Sequence, residues 1–338
     1  MGDDAIAMRH GAGGRAMRAL IEEMFVAGAA PVDGVGLAAM DDGAAIRVGS
    51  RHLVLTTDSH VVKPLFFPGG DIGRLAIAGT VNDLAMMGGV DVLGITFAVI
   101  LEEGFPRATL EAVMRSVRAT CAEAGVAIVT GDTKVMGRGE VDGLVIATSG
   151  AAWADRVIGN SGLRPGDKLI VTGTIADHGF AVLSARSDLQ LEGELRSDVA
   201  PLGGLVRAVL AAGGDGLVAM KDPTRGGIAS ILHELARNSG VGIVLDGPAV
   251  PITDEVRAAS ELLGIDPLVV ANEGKAVLAV RPEVSDAVLA ALRAHPLGRR
   301  AAIIGTAVAE RPGMVVLDTG IGRRLLSEPD GEPTPRIC

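Results

Sequence analysis

Two kinds of residue in this chain could carry out chemistry: a cysteine at the last position and a set of aspartates placed at apolar elements. The chain ends in Pro335-Arg336-Ile337-Cys338. A thiol on the final residue of an arm can be carried into an enclosed site. The other cysteine is Cys121, so the sequence contains no disulfide framework. A prenylation signal would need its cysteine fourth from the end. The terminal thiol therefore stands out as a candidate reactive group.

The two cysteines lie in very different sequence surroundings. Residues 331–335, Gly-Glu-Pro-Thr-Pro, precede the terminal segment and contain two prolines and no core-forming residue. This composition predicts an extended, mobile arm. Cys121 instead shares one helical face with Leu110, Val113, Met114 and Val117. We expect Cys121 to be a buried, inert thiol.

Several aspartates lie at or within predicted apolar elements, where burial of an ionised carboxylate costs free energy. Asp58 follows the apolar stretch from Leu53 to Thr57, Asp132 follows residues 128–131, and Asp41 and Asp42 lie in a short loop before a strand. Asp83 and Asn82 fall on the apolar face of a predicted helix. An isolated ionised carboxylate buried there would cost several kcal/mol, so it needs a cation. Magnesium is the candidate, because it takes oxygen ligands and bridges phosphates.

A magnesium–phosphate site needs a nucleotide, but the usual nucleotide motifs are missing from the sequence. There is no Gly-x-x-x-x-Gly-Lys-Ser/Thr loop and no dinucleotide-binding glycine fingerprint after a first strand. Two glycine-rich segments remain, residues 10–15 and residues 222–227. The second opens a predicted helix, so backbone N–H groups and Arg225 can face an anion. Lys134 can supply a further cation, two residues after Asp132.

Composition bounds the class of protein. At 338 residues the chain is long enough for two domains, and with aromatic residues at 2% its core must be built from Ala, Val, Leu and Ile. The net charge of −10, without a Lys/Arg-rich run, argues against nucleic acid as the main partner. The start of the sequence lacks a secretion signal, and the longest apolar stretch, residues 92–101, is too short to span a bilayer. We expect a cytoplasmic enzyme with reduced thiols.

The elements that must position these residues alternate between strands and helices. Asp71 is a plausible N-cap for a helix that runs to about Met87, and the polar connection near residues 155–167 separates two α/β halves. The predicted strands are residues 52–56, 92–101, 126–130, 144–147, 168–173, 241–245, 276–280 and 301–305. The other predicted helices are residues 106–124, 177–186 and 223–238.

Several segments together resemble one known family. They are residues 10–15, 56–62, 64–73, 79–86, 131–134, 222–227, 271–274 and the terminal 335–338. The chain resembles, over essentially its whole length, the HypE family of hydrogenase-maturation carbamoyl dehydratases. That family lies within the superfamily of aminoimidazole ribonucleotide synthetase and selenophosphate synthetase. One departure is visible: the Gln-Leu that usually precedes the tail is Pro333-Thr334 here.

The resemblance implies a fold and an assembly. It implies a two-domain α/β (α+β) PurM-like fold, in which residues 1–155 bind ATP and form a β-barrel across a homodimer. Residues 156–325 would form the C-terminal α/β domain, and residues 326–338 would be a mobile tail. It also implies partners: the carbamoyltransferase HypF as carbamoyl donor, and the HypC–HypD complex as acceptor of cyanide.

The resemblance further implies a reaction and roles for residues. Cys338 would receive the carbamoyl group, and ATP with Mg²⁺ would drive its dehydration to a thiocyanate, supplying cyanide to the iron of [NiFe] hydrogenase. Lys134 would neutralise phosphate or hold the amide oxygen, and Glu273 would be the base. The metal ligands would be Asp42, Asp58, Asp83 and Asp222, with Asp41 adjoining the first. The ATP-binding residues would be Asp58, Asn82, Asp132, Thr133, Lys134, Arg225, Gly226 and Gly227.

Phosphorylation explains why such a reaction needs this kind of site. An amide oxygen is a poor leaving group, whereas a phosphate is a good one. The step requires in-line placement of the γ-phosphate with charge neutralisation. It also requires a base near the nitrogen and exclusion of water, which would hydrolyse the activated group.

Other functions remain open from the sequence. Selenophosphate synthetase would need a reactive cysteine or selenocysteine in the N-terminal loop, and residues 10–18 contain none. A purine-pathway ligase would use a related fold but would not need Cys338. An ATP-binding scaffold, whose tail only docks a partner, is the alternative from another class.

Overall fold

The structure is a computed structural model that describes residues 5–11, 13–186 and 194–329. Cys338, the predicted reactive thiol, lies outside the described residues, as does the proline-containing segment before it. No helix in the described ranges is long and apolar enough to cross a membrane.

The first part of the chain forms a six-stranded sheet in the order β1-β2-β3-β8-β6-β7. Its pairs are antiparallel except β6 with β7, which are parallel. The strands are β1 Gly34–Val35, β2 Ala44–Val48, β3 Arg51–His60, β6 Asp91–Glu102, β7 Ile128–Met136 and β8 Leu144–Ala154, and a small hairpin contains β4 Phe66–Phe67 and β5 Gly70–Asp71. The helices are α1 Gly14–Ile21, α2 Ile72–Met86 and α3 Arg107–Ala124.

One face of this sheet is covered and the outer strand is not. Side chains of β8 alternate between buried and half-buried along the whole strand, as expected for a sheet with one covered face. Helices α2 and α3 pack on that face in one apolar cluster, which includes Cys121. The prediction that Cys121 is a buried core residue is confirmed. β7, at the end of the sheet, is exposed along nearly its whole length.

Helix α2 is the structural centre of the site region. Asp71 caps it as predicted, because its Oδ1 accepts from the N–H groups of Gly73 at 2.7 Å and Arg74 at 3.1 Å. Thirteen of its residues are buried, since the sheet covers one side and the second half of the chain covers the other. The helix therefore carries Asn82 and Asp83 into the interior of the molecule.

The second part of the chain forms a seven-stranded sheet in the order β10-β12-β9-β13-β11-β14-β15. Only β11 and β14 are parallel neighbours. The strands are β9 Lys168–Val171, β10 Leu217–Lys221, β11 Gly242–Asp246, β12 Val277–Val280, β13 Ala302–Val308, β14 Val315–Asp318 and β15 Arg323–Leu325. The helices are α4 Asp177–Arg186, α5 Gly203–Gly213, α6 Gly227–Ser239, α7 Asp254–Leu263 and α8 Pro282–Ala294.

Helices cover both faces of the second sheet. Helix α6 packs on one face in the largest apolar cluster of the described residues. Helices α5 and α8 pack on the other face, where Ala85 and Met86 from the end of α2 join them. The end of α2 is thus packed into the core of the second half. This packing fixes the position of the two halves relative to each other next to Asp83.

Four predicted boundaries differ from the structure in ways that matter for the site. Asp58 and Asp132 lie inside β3 and β7 instead of following them. Helix α6 begins at Gly227 and not at Pro223, because residues 222–226 form a loop that enters the helix through Gly226 in the left-handed conformation, at φ 67°. The predicted tail boundary at residue 326 also falls inside packed chain: Leu326 is buried and its N–H donates to the carbonyl of Val315 at 2.9 Å.

Candidate active site

A cavity of about 420 Å³ lies where the N-terminal segment, the first sheet and the second half of the chain meet. Its lining is unusually rich in charge for an interior space. The acidic residues are Glu22, Asp41, Asp42, Asp58, Asp83, Asp222, Glu234 and Glu273. The basic residues are Arg18, Lys221, Arg225 and Arg237, with His60 beside them.

The four aspartates predicted as metal ligands reach this cavity from four separate elements. Asp58 comes from β3, Asp83 from α2, Asp222 from the end of β10, and Asp42 from the loop before β2. Thr56 connects two of these elements, because its hydroxyl oxygen lies within hydrogen-bond distance of Asp83 Oδ2, at 2.8 Å, and of the Asp42 carbonyl oxygen, at 3.1 Å. The fold therefore brings together residues that are up to 180 positions apart in the chain.

Burial and mutual repulsion make these carboxylates costly to ionise. Burial raises the pKa of Asp83 well above its usual value, and the nearby charges of Asp222, Asp42 and Asp58 raise it further. Burial likewise raises the pKa of Asp222, and Asp42 adds to that effect. Although Asp83 keeps some contact with the cavity, protein surrounds its carboxyl group. A cation in the cavity would relieve this repulsion.

The oxygen atoms available in the cavity fit a hard cation. Asp42 Oδ2 and Asp222 Oδ2 are buried and have no hydrogen-bond partner among the described residues. Within the same residues, no three acidic, histidine or cysteine side chains are close enough to form a complete metal site. This combination suits Mg²⁺, which is commonly held by one or two carboxylates together with substrate phosphates.

Lys221 is the cation already present in this acidic group. Its Nζ lies 2.6 Å from Asp42 Oδ1 and 3.5 Å from Glu234 Oε2. Burial alone would lower the pKa of Lys221, but Asp42 and Glu234 raise it above its usual value. Lys221 therefore remains charged and pairs with Oδ1 of Asp42, while Oδ2 of Asp42 has no hydrogen-bond partner among the described residues. The sequence analysis did not single out Lys221, although its position next to Asp222 at the end of a strand could have identified it.

Glu273 lies at the wall of the cavity as a buried acid with an unsatisfied oxygen. Its residue is 4% exposed, and Oε1 has no hydrogen-bond partner among the described residues. Burial raises its pKa well above the usual value, and Asp222, Asp58 and Asp198 add to the rise. A carboxylate of raised pKa facing a cavity has the properties required of a general base.

The backbone around Glu273 is fixed by two buried side chains. Asp198 Oδ1 accepts from the Glu273 N–H at 3.1 Å. Asn82 donates from Nδ2 to the carbonyls of Glu273 at 3.2 Å and Ala200 at 3.0 Å, and its Oδ1 accepts from Leu202 N at 2.7 Å. Asn82 was predicted to contact ATP. Both of its amide N–H groups and its Oδ1 take part in these bonds, and it is not among the residues that line the cavity of one chain, so in the described residues its visible role is to support Glu273.

The glycine-rich loop after Asp222 contributes Arg225 and a helix start. Arg225 lines the cavity, with its guanidinium 3.6 Å from Asp58 Oδ1. Gly226 and Gly227 form the entry to α6 and do not themselves line the cavity. Gly227 is at φ 61°, and a Cβ there would lie 2.6 Å from the Leu268 carbonyl, so no other residue fits.

Asp132, Thr133 and Lys134 are not part of the cavity of their own chain. All three are exposed on β7, the outermost strand of the first sheet. Edge strands present unpaired backbone groups that favour pairing with another chain. The cavity, as one chain forms it, lacks the lysine that the sequence placed there.

His60 is a cavity residue that the sequence patterns did not single out. It is buried, with Nε2 3.1 Å from Thr148 Oγ1 and 3.6 Å from Asp58 Oδ2. Burial lowers its pKa, which favours the neutral ring. Because β3 continues to residue 60, Asp58 and His60 lie on the same face of one strand. A longer predicted strand would have revealed this pair.

Comparisons with known proteins define the class. Residues 40–154 match the model of the family described as "AIR synthase related protein, N-terminal domain". Residues 164–318 match the model of the corresponding C-terminal domain. The chain is therefore a two-domain α/β protein of the AIR synthase-related, or PurM-like, class. Each matched range contains one of the two sheets except for a short edge strand, β1 in the first and β15 in the second.

Closer relatives narrow the class to one family. The chain is 49% identical to the carbamoyl dehydratase HypE of Rhizobium leguminosarum bv. viciae, over 98% of this chain and 95% of that protein. It also superimposes on a HypE in a HypE–HypF complex, at TM-score 0.85 and 42% identity over 92% of this chain and 100% of the other. A HypE solved in complex with ATP gives TM-score 0.82 and 39% identity over 99% and 100%. The chain belongs to the HypE family of carbamoyl dehydratases, which act in hydrogenase maturation.

Proposed function

We propose that this chain carries the carbamoyl group on its own Cys338 and dehydrates it in the described cavity at the expense of ATP. The S-carboxamide and ATP become an S-cyanate (thiocyanate), ADP and phosphate, so the oxygen that leaves the amide ends in phosphate. The cyanide would then serve the iron of [NiFe] hydrogenase. The observation that carries this proposal is the unpartnered Oε1 of buried Glu273 in a cavity rich in carboxylates.

Glu273 would take the protons that the amide nitrogen must lose. Its raised pKa makes its ionised form a stronger base than that of an exposed glutamate. The bonds from Asp198 and Asn82 hold its backbone, so the carboxylate keeps one position during the reaction. Base strength and fixed placement are the two contributions of this part of the chain.

ATP would supply the phosphoryl group that makes the amide oxygen a good leaving group. Asp42 and Asp222 would hold Mg²⁺ through their unpartnered oxygens, with Asp58 and Asp83 beside them. Arg225, which lines the cavity, would face the phosphates. The HypE of known structure with ATP supports a nucleotide in this fold.

A second copy of the chain would complete the site. We place the exposed strand β7 in a barrel that closes across a homodimer, which would bring Asp132, Thr133 and Lys134 to the cavity of the partner. The exposed apolar side chains of Val129 and Val135 on this edge strand support burial against another sheet. Lys134 would then neutralise phosphate or hold the amide oxygen. Residues 1–155 would form the ATP-binding and dimerisation domain and 156–325 the second domain.

The carbamoyl donor would be HypF and the acceptor of cyanide the HypC–HypD complex. A relative of similar fold has been solved in complex with HypF, which supports the first partner. The second partner and a cytoplasmic location complete the proposal, since cyanide made on the tail must pass to an iron-carrying protein in the same compartment.

The decisive experiment is the intact mass of the carbamoylated chain before and after addition of ATP and Mg²⁺. We expect loss of one water, mapped by peptide analysis to Cys338. Cys338→Ala should bind ATP as the unchanged chain does and should accept no carbamoyl group. Carbamoylation at another residue, or binding of ATP without any loss of water, would contradict the proposal and favour a nucleotide-binding scaffold.

Glu273→Gln tests the proposed base in the same assay. Glutamine has nearly the same shape, so ATP affinity measured by calorimetry should change little. Dehydration should slow by about two to four orders of magnitude, the usual cost of losing a general base. If the rate stays within a few-fold of that of the unchanged chain, Glu273 is not the base.

A further inference from the structure

The chain segment that leads into the tail is attached to the body of the protein by a half-buried ion-pair network. Glu328 is held between Arg18 on α1 and Arg237 on α6, with its side chain only 10% exposed. Arg18 Nη1 lies 2.6 Å from Oε1 and Arg237 Nη1 lies 3.3 Å from Oε2. Burial alone would raise the pKa of Glu328, but the two guanidinium groups hold it below its usual value. Glu328 is therefore charged and bridges the two helices.

Backbone contacts fix the same segment on both sides of Glu328. The carbonyl oxygen of Leu326 lies 3.1 Å from His233 Nε2, and the carbonyl of Pro329 accepts from Arg15 N at 3.3 Å. The described chain thus stays attached to α6 and α1 up to its last described residue.

Both arginines that hold Glu328 also line the cavity. The attachment point is therefore at the cavity rim, with nine residues between Pro329 and the end of the chain. Nine residues span at most about 30 Å when fully extended. An attached arm of this length confines its end to a small volume, which raises the effective concentration of the terminal group at the rim.

We propose that Glu328 is a positioning residue that anchors the root of the tail at the rim of the cavity and so delivers the Cys338 carbamoyl group to it. This inference rests on the proposed function. Glu328 would act only through the placement of the tail, since its oxygens are taken up by Arg18 and Arg237 and it does not itself line the cavity.

A comparison of attached and free substrate separates anchoring from catalysis. Glu328→Gln keeps the shape but loses the charge. In the carbamoylated chain, single-turnover dehydration should slow by about tenfold, because without its two ion pairs the segment is held less firmly at the rim. The free substrate is a peptide of residues 330–338 with an S-carbamoyl cysteine, given to a Cys338→Ala chain. That peptide should be dehydrated equally fast whether or not the chain also carries Glu328→Gln.

Asp318→Asn is the matched control, since Asp318 forms an exposed ion pair with Arg323 at 2.9 Å in the same C-terminal region. It should leave both rates unchanged. An unchanged rate for the attached substrate in Glu328→Gln would overturn the proposal. An equal loss for attached and free substrate would also overturn it, because Glu328 would then act on the cavity itself.

A second measurement tests the anchor without the reaction. In a Cys121→Ala background, a fluorescent probe on Cys338 should show a larger fast component of anisotropy decay in Glu328→Gln than with Glu328. An unchanged decay would contradict anchoring. If the unsubstituted carbamoylated chain loses no water with ATP, the proposed function fails, whereas the anisotropy result still decides whether Glu328 anchors the tail.

Discussion

At the scale of single residues, the cavity collects acids that are expensive to ionise and leaves specific oxygens without partners. Asp42, Asp222 and Glu273 each keep a buried oxygen unpaired among the described residues. A protein retains such groups at a cost of about 1–3 kcal/mol each, so they indicate a ligand or a reaction. Lys221 offsets part of this cost for Asp42, Glu234 and Asp222, but Asp42 Oδ2 and Asp222 Oδ2 still lack a hydrogen-bond partner among the described residues.

Asp83→Asn tests this view at an aspartate whose carboxyl group is surrounded by protein. Removing the charge relieves repulsion from Asp222 and Asp42, so the metal-free protein should unfold at a higher urea concentration. ATP hydrolysis should be abolished with the fold preserved. Asp286→Asn, an exposed acid on α8, is the control and should change neither property. Turnover by Asp83→Asn at the rate of the unchanged chain would remove Asp83 from the site.

Asp177 provides a test of pH dependence away from the proposed metal ligands. Burial, with Asp198 adding to it, raises the pKa of Asp177 to about 6 from 3.8. Between these values the folded state binds more protons than the unfolded state, so this group's contribution to stability falls as pH rises from about 4 to 6. Asp177→Asn should remove that contribution. We expect urea unfolding to show the variant gaining about 1–2 kcal/mol over the unchanged chain between pH 4 and 7. A constant difference across this range would refute the assignment.

At the scale of elements, the positions of the site residues follow from helix α2 and from the ends of strands. Asn82 connects α2 to the segments that carry Ala200, Leu202 and Glu273. Because these bonds are buried, one side chain links the first half of the chain to the loop that holds the proposed base.

Asn82→Ala should therefore destabilise the protein and misplace Glu273. Three buried backbone groups would lose their partner, at a cost of about 2–4 kcal/mol in urea unfolding. Asn82→Asp keeps the acceptor for Leu202 but loses both donor bonds, so its loss of dehydration should exceed its loss of ATP affinity. Equal losses in rate and ATP affinity would point instead to direct contact with the nucleotide.

Several helices and strands were predicted correctly from the sequence, and those that were missed or predicted too short have physical explanations. Apolar runs and the Asp71 cap predicted α2, β6 and α3 to within two residues, because packing and capping leave local patterns. Helices α1, α5, α7 and α8 were not predicted. The strands holding Asp58 and Asp132 were predicted too short, since polar residues facing a cavity or solvent break the apolar pattern. Asn82 was predicted to contact ATP, because the spacing of residues in the sequence does not reveal that its side-chain amide bonds to backbone groups.

At the scale of the whole molecule, the structure leaves an exposed edge strand and a cavity without Lys134. These two facts have a common explanation if β7 pairs with a second copy, which is the homodimer that we propose. Val129 and Val135 are each more than 60% exposed on this strand, and an apolar edge of this kind is a liability for an isolated chain.

Val135→Lys should shift the protein toward monomer in size-exclusion chromatography with light scattering, since burial of a charge in the dimer contact is costly. ATP turnover should fall by about tenfold or more, because each site would lose the residues that its partner supplies. Leu262→Lys is the matched control, because Leu262 on α7 is equally exposed, at 64% for each side chain. It should affect neither property. A monomeric Val135→Lys protein with full turnover would show that one chain suffices.

The near-complete burial of α2 has a consequence for how this protein can vary. A helix covered by sheet on one side and by the second half on the other offers almost no position where a larger side chain fits. Gly73 shows the constraint, since a Cβ there would lie 2.7 Å from the Val113 carbonyl. In a library of single substitutions, α2 should therefore be the least tolerant helix, with α7 among the most tolerant. Sequence diversity among functional variants would then be lowest in α2, although this helix has few charged residues of its own.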